Sequence, residues 1–386
     1  MIDFFQLFEE HYSKYLTPQQ FQTLKILVWL IQAHKQVKIE RLAASFPLPI
    51  LYASRRRHIQ RFLIKPFLSI TLLWFPVIEQ IIHQQFSRSS RLIITIDRTQ
   101  WSDKNILLVA VIWQKRALPI YWYLLSKKGA SNLTEQQAVL KPVLKLLKKY
   151  ELVIIGDREF HSVKLAYWLK SRNKTQKVFF AFRQKLLTKF RKGRSQYQSF
   201  NDFKLIPGIK RFLTGVSVTK SKGFGRFNVL AYQQRKYRTN HQQEPWFILT
   251  NLSDVEDVLK VYRARMGIEA MFSDCKTGGY NLEGSFANNQ RLTSLILLIS
   301  IAYTATAISG KIVKQTGLAK YIARLKEPKR KERRHSSFWV GLYGDMWLSA
   351  WEFCQDFVQV IIDANPHKRG NYQRGFLAMS KIESSF

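Results

Sequence analysis

The sequence predicts a mixed α/β protein, and three observations carry that reading. Three successive runs, RLIITID (91–97), NILLVAVIW (105–113) and LPIYWYLL (118–125), are rich in β-branched and aromatic residues. Their connections are short enough for antiparallel neighbours. A helical pattern, the apolar run ELVIIGD (151–157), a second helical pattern and the strand VFFAF (178–182) follow in that order. A near-continuous apolar run of that kind is a strand covered on both faces.

Residues 1–88 read as helical. Phe21, Leu24, Leu27, Val28 and Ile31 recur at helical spacing. Then come a short helix, a turn bounded by Pro47 and Pro49, and a helix carrying Arg55, Arg56, Arg57 and Arg61. That layout suits a helix-turn-helix DNA reader, and equally a small bundle with one solvated basic helix. Ser87–Ser90 marks the boundary at which the strands begin. After the third strand, Thr134 with Gln137 three positions on reads as a capping box for a helix running to about Tyr150. A helix over His161–Ser171 separates the next two strands. The order β-β-β-α-β-α-β is that of a ribonuclease-H-like core with a mixed sheet.

Residues 183–245 hold many cations, among them Lys185, Lys189, Arg191, Lys222, Lys236 and Arg238, with alternating runs such as FLTGVSVTK and RFNVLAYQQ. They read as a basic β insertion. The core resumes at WFILT (246–250) and continues as helices over Asp254–Lys276 and about Asn288–Lys314. Beyond residue 313 the chain is helical in places and very basic (KEPKRKERRH, 326–335), with Trp339, Trp347 and Trp351 available for a small satellite core. Five segments are therefore expected: 1–88 helical and DNA-binding, 89–182 core, 183–245 β insertion, 246–312 core, and 313–386 basic and helical.

Charge separates this chain from an ordinary globular one. Sixty-two Lys and Arg against 26 Asp and Glu leave a net charge of +36. Spread along the whole chain, such an excess self-repels unless a polyanion neutralises it, and nucleic acid is the favoured partner over a membrane surface. Two cysteines, Cys275 and Cys354, without a CxxC pair argue against a disulfide framework or a cysteine zinc site, and fit a reducing, cytoplasmic setting. The N-terminus lacks the layout of a secretory signal. Leu292–Ser309 is apolar but carries Tyr303 and several Ser and Thr, which suits a buried helix better than a membrane span. No Gly-rich phosphate loop argues for nucleotide use.

Two aspartates stand at predicted strand ends, Asp97 after RLIITI and Asp157 after ELVIIG. A carboxylate beside a buried apolar run is desolvated and needs a cation or donor to stay ionised, although Asp also ends strands as a simple turn residue. In VYRARMGIEAMFSDCK, Tyr262, Arg265, Glu269 and Lys276 stand at offsets 0, 3, 7 and 14. On one continuous helix they fall within about 60° of one another, with Ala264, Ile268, Met271 and Cys275 opposite. A surface salt-bridge face explains the two cations but not the whole spacing. Arg158 and Glu159 stand beside Asp157 as candidate supports, and His161 reads as a solvated helix-start residue.

Tyr-x2-Arg-x3-Glu-x6-Lys, together with IDRT (96–99) and GDREF (156–160), resembles the insertion-sequence-four family of bacterial cut-and-paste DDE transposases over residues 91–310. The resemblance implies that Asp97, Asp157 and Glu269 hold two Mg²⁺ or Mn²⁺ ions. It also implies cleavage by water, a hairpin intermediate and strand transfer, with Tyr262, Arg265 and Lys276 on phosphates near the cut. Trp246 matches a tryptophan that stacks on a flipped base in relatives. Met266 stands where they place a second aromatic. The partners implied are the DNA of terminal inverted repeats and target, and a second copy of the chain in a homodimeric synaptic complex near the bacterial nucleoid. The readings left beside it are a metal-dependent nuclease without strand transfer and a catalytically silent DNA-binding descendant.

Overall fold

Two short helices, α1 (Ile2–Leu7) and α2 (Glu9–Ser13), precede α3 (Pro18–His34). Thr17 and Gln20 close a capping box at its start, and Pro18 supplies a first-turn residue that needs no backbone donor. Phe21, Leu24, Leu27, Val28 and Ile31 are all buried, as their spacing predicts. Then come α4 (Ile39–Ser45) and α5 (Tyr52–Phe62), and a π-helical turn (Ile70–Trp74) leads into α6 (Phe75–Gln85). The structure, a computed structural model, describes residues 2–101, 103–172, 175–220, 225–235, 244–276, 278–324 and 334–385. Lys222, Lys236, Arg238 and the basic stretch 326–333 lie outside the described residues.

Contacts group the chain into two units, a sheet unit (Ile78–Phe272) and a helical unit (Met1–Val77 with Ser273–Phe386). In the sheet unit, β1 (Arg91–Trp101), β2 (Lys104–Trp113) and β3 (Arg116–Leu125) form an antiparallel meander. α7 (Leu133–Leu146) leads to β4 (Glu151–Gly156), parallel to β1, and α8 (Val163–Ser171) leads to β5 (Val178–Arg183), parallel to β4. The order β3-β2-β1-β4-β5 is the ribonuclease-H-like core. The cap of α7 falls two residues earlier than predicted. The Asn132 side chain accepts from the Glu135 N–H at 2.9 Å and Glu135 accepts from the Asn132 N–H at 2.6 Å, so an equally good cap precedes Thr134.

The basic β segment is not set apart from this core. β6 (Lys189–Arg191), β7 (Gln198–Ser199), β8 (Lys210–Val218) and β9 (Arg226–Tyr232) join through β10 (Trp246–Thr250) to β5, making one ten-stranded sheet. Phe190 stacks on Phe200 at 4.5 Å and Phe200 on Phe247 at 4.6 Å, which fastens the β6–β7 hairpin to β10. α9 (Val255–Arg263), capped by Asp254, and α10 (Met266–Cys275) follow.

The predicted single helix over 254–276 is thus two. Between them the bonds tighten to three-residue spacing: Arg265 N–H to the Tyr262 carbonyl, Gly267 N–H to Ala264, and Ile268 N–H to Arg265. Gly267 permits the break, because a Cβ there would stand 2.9 Å from the Arg116 carbonyl at the start of β3.

The helical unit resumes with α11 (Asn289–Gln315), α12 (Ala319–Ile322), α13 (Ser337–Asp363) and α14 (Arg369–Glu383). α11 is long and apolar enough to cross a membrane, yet 89% of its most apolar window is buried against the rest of the chain, as the core helix of this unit. It crosses α13 with backbones in contact. A Cβ on Gly310 would meet the Ser337 carbonyl at 1.9 Å, and one on Gly341 the Thr306 carbonyl at 2.0 Å. Gln32 on α3 uses its buried amide nitrogen inside the bundle, donating to the Thr306 hydroxyl at 2.8 Å and the Ala302 carbonyl at 3.2 Å. Trp339 and Trp347 pack on a small core of Val313, Ala319, Val340 and Ile382, while Trp351 meets Phe376 edge-on at 4.9 Å.

Candidate active site

Strand register brings the two aspartates together. β1 and β4 run parallel and pair up to Ile96 and Gly156. The next residue on each chain is therefore Asp97 and Asp157, on neighbouring strands about 4.8 Å apart. Asp97 is not a strand end, as the sequence suggested. β1 continues to Trp101 because β2 still pairs with it, Asp97 opposite Leu108. What ends at this level is β4. Gly156 fits there because a Cβ would stand 2.9 Å from the Phe160 ring. Asp157 turns the chain into a short 3₁₀ turn (Arg158–Phe160) as its cap.

Each aspartate has one oxygen held by backbone. The Arg98 N–H donates to Asp97 Oδ1 at 2.7 Å, and the Glu159 N–H donates to Asp157 Oδ1 at 2.8 Å. Burial, reinforced by the charge of Asp157, raises the Asp97 carboxyl to about 7, against the opposing pull of the Arg98 amide and Arg265. Glu269, on the first turns of α10, adds to the negative field at Asp97. The guanidinium of Arg265 bridges the two acids, 3.5 Å from Asp97 Oδ2 and 2.5 Å from Glu269 Oε1. Burial works against its charge, and Tyr262, Glu269 and Asp97 more than offset that cost, so its pKa is raised.

The expected metal ligands do not close into a cage. Among the described residues no group of three or more His, Cys, Asp or Glu side chains stands together to hold a metal ion. A guanidinium, rather than a ring of carboxylates, faces the acids. The donor set itself suits a hard divalent cation: three carboxylates, all oxygen, with one crowded and desolvated so that a cation beside it is favoured.

Arg98 and Glu159 form a support that sequence reading did not assemble. Arg98 Nε meets Glu159 Oε2 at 2.7 Å, and Arg98 also donates to Asn105 at 3.1 Å. Glu159 Oε1 accepts from the Ser131 N–H at 2.9 Å and hydroxyl at 2.7 Å. The signal for it lay in the register. Once 97 and 157 are neighbours, an arginine one residue beyond the first and a glutamate two beyond the second must meet. Arg158 turns away to Glu244, and His161 Nδ1 lies 2.8 Å from the Arg158 carbonyl.

Trp246, at the start of β10 opposite Tyr232, lies edge-on to Tyr262 at 5.1 Å. Together with Arg183, Gln234, Glu244, Arg263, Arg265 and Met266 they line a cleft of about 530 Å³. Glu244 holds Arg183 at 3.0 Å. Tyr262 is buried, and burial pushes its hydroxyl pKa up, so it serves as a neutral phenol. Met266 is 59% exposed at the rim.

The remaining candidates belong to the helical unit. Lys276 follows the end of α10, and its ammonium pairs with Glu283 at 2.9 Å. On α5, Arg56 is bound to Glu40 at 2.9 Å, Arg55 donates to the Phe46 carbonyl at 3.2 Å, and Arg57 is exposed.

A ribonuclease-H-like sheet with two carboxylates in register on its central parallel strands, and a third acid delivered by a later helix, defines the nucleases and transposases built on that core. The family is narrower. A family model described as Transposase DDE domain matches residues 104–305, a little over half of the chain, and the protein belongs to that family. The match takes in Asp157 and Glu269 and begins just after Asp97. No curated protein matches. Among solved structures the chain is similar to a piggyBac transposase synaptic complex with hairpin DNA, at 15% identity and a TM-score of 0.39, over 86% of this chain and 73% of that one. It is also similar to Marinitoga piezophila Argonaute in complex with 5′ OH guide RNA and target DNA, at 14% identity and a TM-score of 0.27, over 53% and 33%.

Proposed function

We propose that this transposase excises a DNA segment and joins its freed ends to a target, as an insertion-sequence-four type enzyme whose signature is Tyr262, Arg265, Glu269 and Lys276. The observation that carries the reading is the in-register pair Asp97 and Asp157 with Glu269 tied to Asp97 through Arg265. Asp97, Asp157 and Glu269 are the residues that would hold divalent ions, two Mg²⁺ or Mn²⁺ on the family pattern. When bound, these would activate the attacking oxygen and stabilise the leaving one.

The chain's own groups do the rest. Arg265 neutralises the acids when no DNA is present, and a scissile phosphate offers it a competing bidentate partner. The Arg98–Glu159 pair keeps both aspartate backbones in place. Trp246 and Tyr262 offer aromatic walls to a base leaving its stack in a hairpin step, in a cleft of a size suited to one small ligand. Met266 at the rim makes that clamp softer than two aromatics would. Lys276, Arg55, Arg56 and Arg57 are the phosphate and helix-reader candidates of the helical unit. The setting is the bacterial cytoplasm, at the nucleoid.

A homodimer fits the outer half of α13. Phe353 (85% exposed), Phe357 (72%), Val360 and Ile361 form one apolar stripe, with Leu377 exposed on α14. Together these side chains offer roughly 700 Å², near the ~800 Å² per partner of a standard interface. α13 carries Asp345, Glu352, Asp356 and Asp363 with no Lys or Arg, whereas α14 carries Arg369, Arg374 and Lys381, so a second copy is complementary in charge.

The test is cleavage and joining on a plasmid carrying the gene's own flanking sequences. Wild type, Asp97→Ala and Glu269→Gln would be compared with Mg²⁺ and with Mn²⁺. Glu269→Gln should bind DNA with nearly unchanged affinity and lose on the order of 10³-fold or more in cleavage. Equal activity of wild type and Glu269→Gln would sink the site. Metal-dependent nicking without joining would leave a nuclease. Sedimentation of the same preparations on DNA reads the dimer, and active complexes that hold only one chain in total would remove it.

A further inference from the structure

Phe286 is an aromatic side chain held out into solvent by an anchored turn. It is 84% exposed, while Leu282, Ser285 and Ala287 around it are buried. The short 3₁₀ turn Leu282–Ser285 is bracketed by two residues in the left-handed region, Asn281 at φ 49° and Phe286 at φ 48°. Asn tolerates that region; a bulky L side chain is disfavoured there. Among the described residues, packing does not require a phenyl ring at such a position, since most of it meets solvent. A strained residue that the surrounding fold over-determines points to a use for its side chain.

The surroundings say what the use is. The Lys38 ammonium stands 5.5 Å from the Phe286 ring centroid, and Lys38 is the residue that starts α4. The turn runs straight into α11, whose first turns are fastened to the end of α5: Gln290 donates to the Ile64 carbonyl at 3.3 Å and Ser294 to the Leu63 carbonyl at 2.7 Å. The segment that carries the ring is therefore fastened through α11 to the end of α5, which exposes Arg57 and Arg61, and the ring itself meets the ammonium of the residue before α4. An apolar ring beside an ammonium, on a segment tied to a basic helix, is the chemistry that enters a base step and stacks there while cations hold the backbone.

We propose that Phe286 is a DNA wedge, inserting between or onto bases of duplex DNA bound by the helical unit. This rests on the reading of the protein as a DNA transposase and adds a base-stacking contact outside the sheet unit.

The experiment uses the full chain and a short duplex of the gene's flanking sequence with 2-aminopurine placed in turn at each step. Wild type, Phe286→Ala, Phe286→Gly and Phe286→Trp are compared for affinity, fluorescence and thermal stability. Wild type should brighten the probe at one step. Phe286→Ala should lose that signal and bind about ten-fold more weakly, and Phe286→Trp should retain both. Phe286→Gly should be at least as stable as wild type, since glycine accepts the left-handed backbone, yet bind as weakly as Phe286→Ala. Unchanged affinity and fluorescence in Phe286→Ala overturns the wedge. So does a loss of stability in Phe286→Gly that accounts for weaker binding, or a lost protein assembly with DNA affinity intact. Wild type that folds but binds no DNA would sink the transposase reading itself. Glu269-dependent cleavage that survives Phe286→Ala with its signals unchanged sinks only the wedge.

Discussion

Two groups of arginines, one in each unit of this chain, are treated in opposite ways. In the sheet unit Arg91, Arg98, Arg183 and Arg265 are half-buried, and each faces a carboxylate: Glu151 and Asp257, Glu159, Glu244, and Asp97 with Glu269. In the helical unit Arg56 is matched by Glu40, while Arg57 and Arg61 on the same helix reach solvent. An internally neutralised arginine orients its neighbours and resists displacement. An exposed one is free to exchange its counterions for a polyanion. The same residue type thus builds a site in one unit and offers a surface in the other. The units also differ in what makes them close: ring stacking and strand pairing in the first, glycine-gated backbone contact in the second.

That last difference can be broken most directly. Gly310→Ala places a methyl 1.9 Å from the Ser337 carbonyl, and backbone cannot retreat as a side-chain tip can. A loss of about 3 kcal/mol is expected, confined to the helical unit. Hydrogen exchange checks it. Amides of α11 and α13 should lose protection while those of β1, β4 and β5 keep theirs. Equal loss in both sets would show that the two units unfold as one block and would end the comparison.

The electrostatic contrast is sharpened by pH. Asp97 is raised to about 7 by burial and by Asp157. A carboxyl whose folded pKa lies above its unfolded value binds its proton more tightly in the folded chain. Its contribution therefore favours folding at low pH, is lost as pH rises from about 4 to about 7, and changes no further above that. In metal-free protein Asp97→Asn removes this term. The variant should match wild type near pH 4 and be more stable at pH 8, by up to about 4 kcal/mol for a shift of roughly three pKa units. Thermal melts across that range with a chelator present decide it. A constant gap between the two proteins at every pH would mean that the crowding of Asp97 and Asp157 costs the fold nothing.

Much of this was legible in the sequence, and the failures have physical causes. The core strands were readable because β-branched runs with short links have few other solutions, and because ELVIIG is apolar on both faces. Asp97 and Asp157 were readable as a pair for the same reason. The break between α9 and α10 was not, since Tyr262, Val258, Ile268 and Met271 keep a helical spacing across it. Only Gly267 marked it, and a lone glycine inside a helical pattern is a weak sign until the Arg116 carbonyl is seen against it. With the break, Lys276 no longer shares one straight helix with Tyr262. The β segment's union with the core was hidden for a different reason. Pairing of β9 with β10 is long-range, and nothing in an alternating run names its partner.

The smallest effect separates two adjacent arginines. Arg56 and Arg57 are indistinguishable in sequence, each within RRR on a basic helix. Their fates differ because α4 lies beside one face of α5 and places Glu40 under Arg56. Arg56→Ala should therefore act on folding, by about 0.5 kcal/mol given how exposed the pair is, and barely on DNA. Arg57→Ala should leave stability within error, weaken DNA binding a few-fold, and lower the slope of log affinity against log salt by about one. Salt titrations of the two variants on the same duplex separate these outcomes. Equal slopes would mean that DNA draws Arg56 away from Glu40 as readily as it engages Arg57. The intramolecular pair would then be a resting partner rather than a fixed one, and the division between building and binding arginines would hold only for the sheet unit, where Glu159 and Glu244 are themselves held by further bonds.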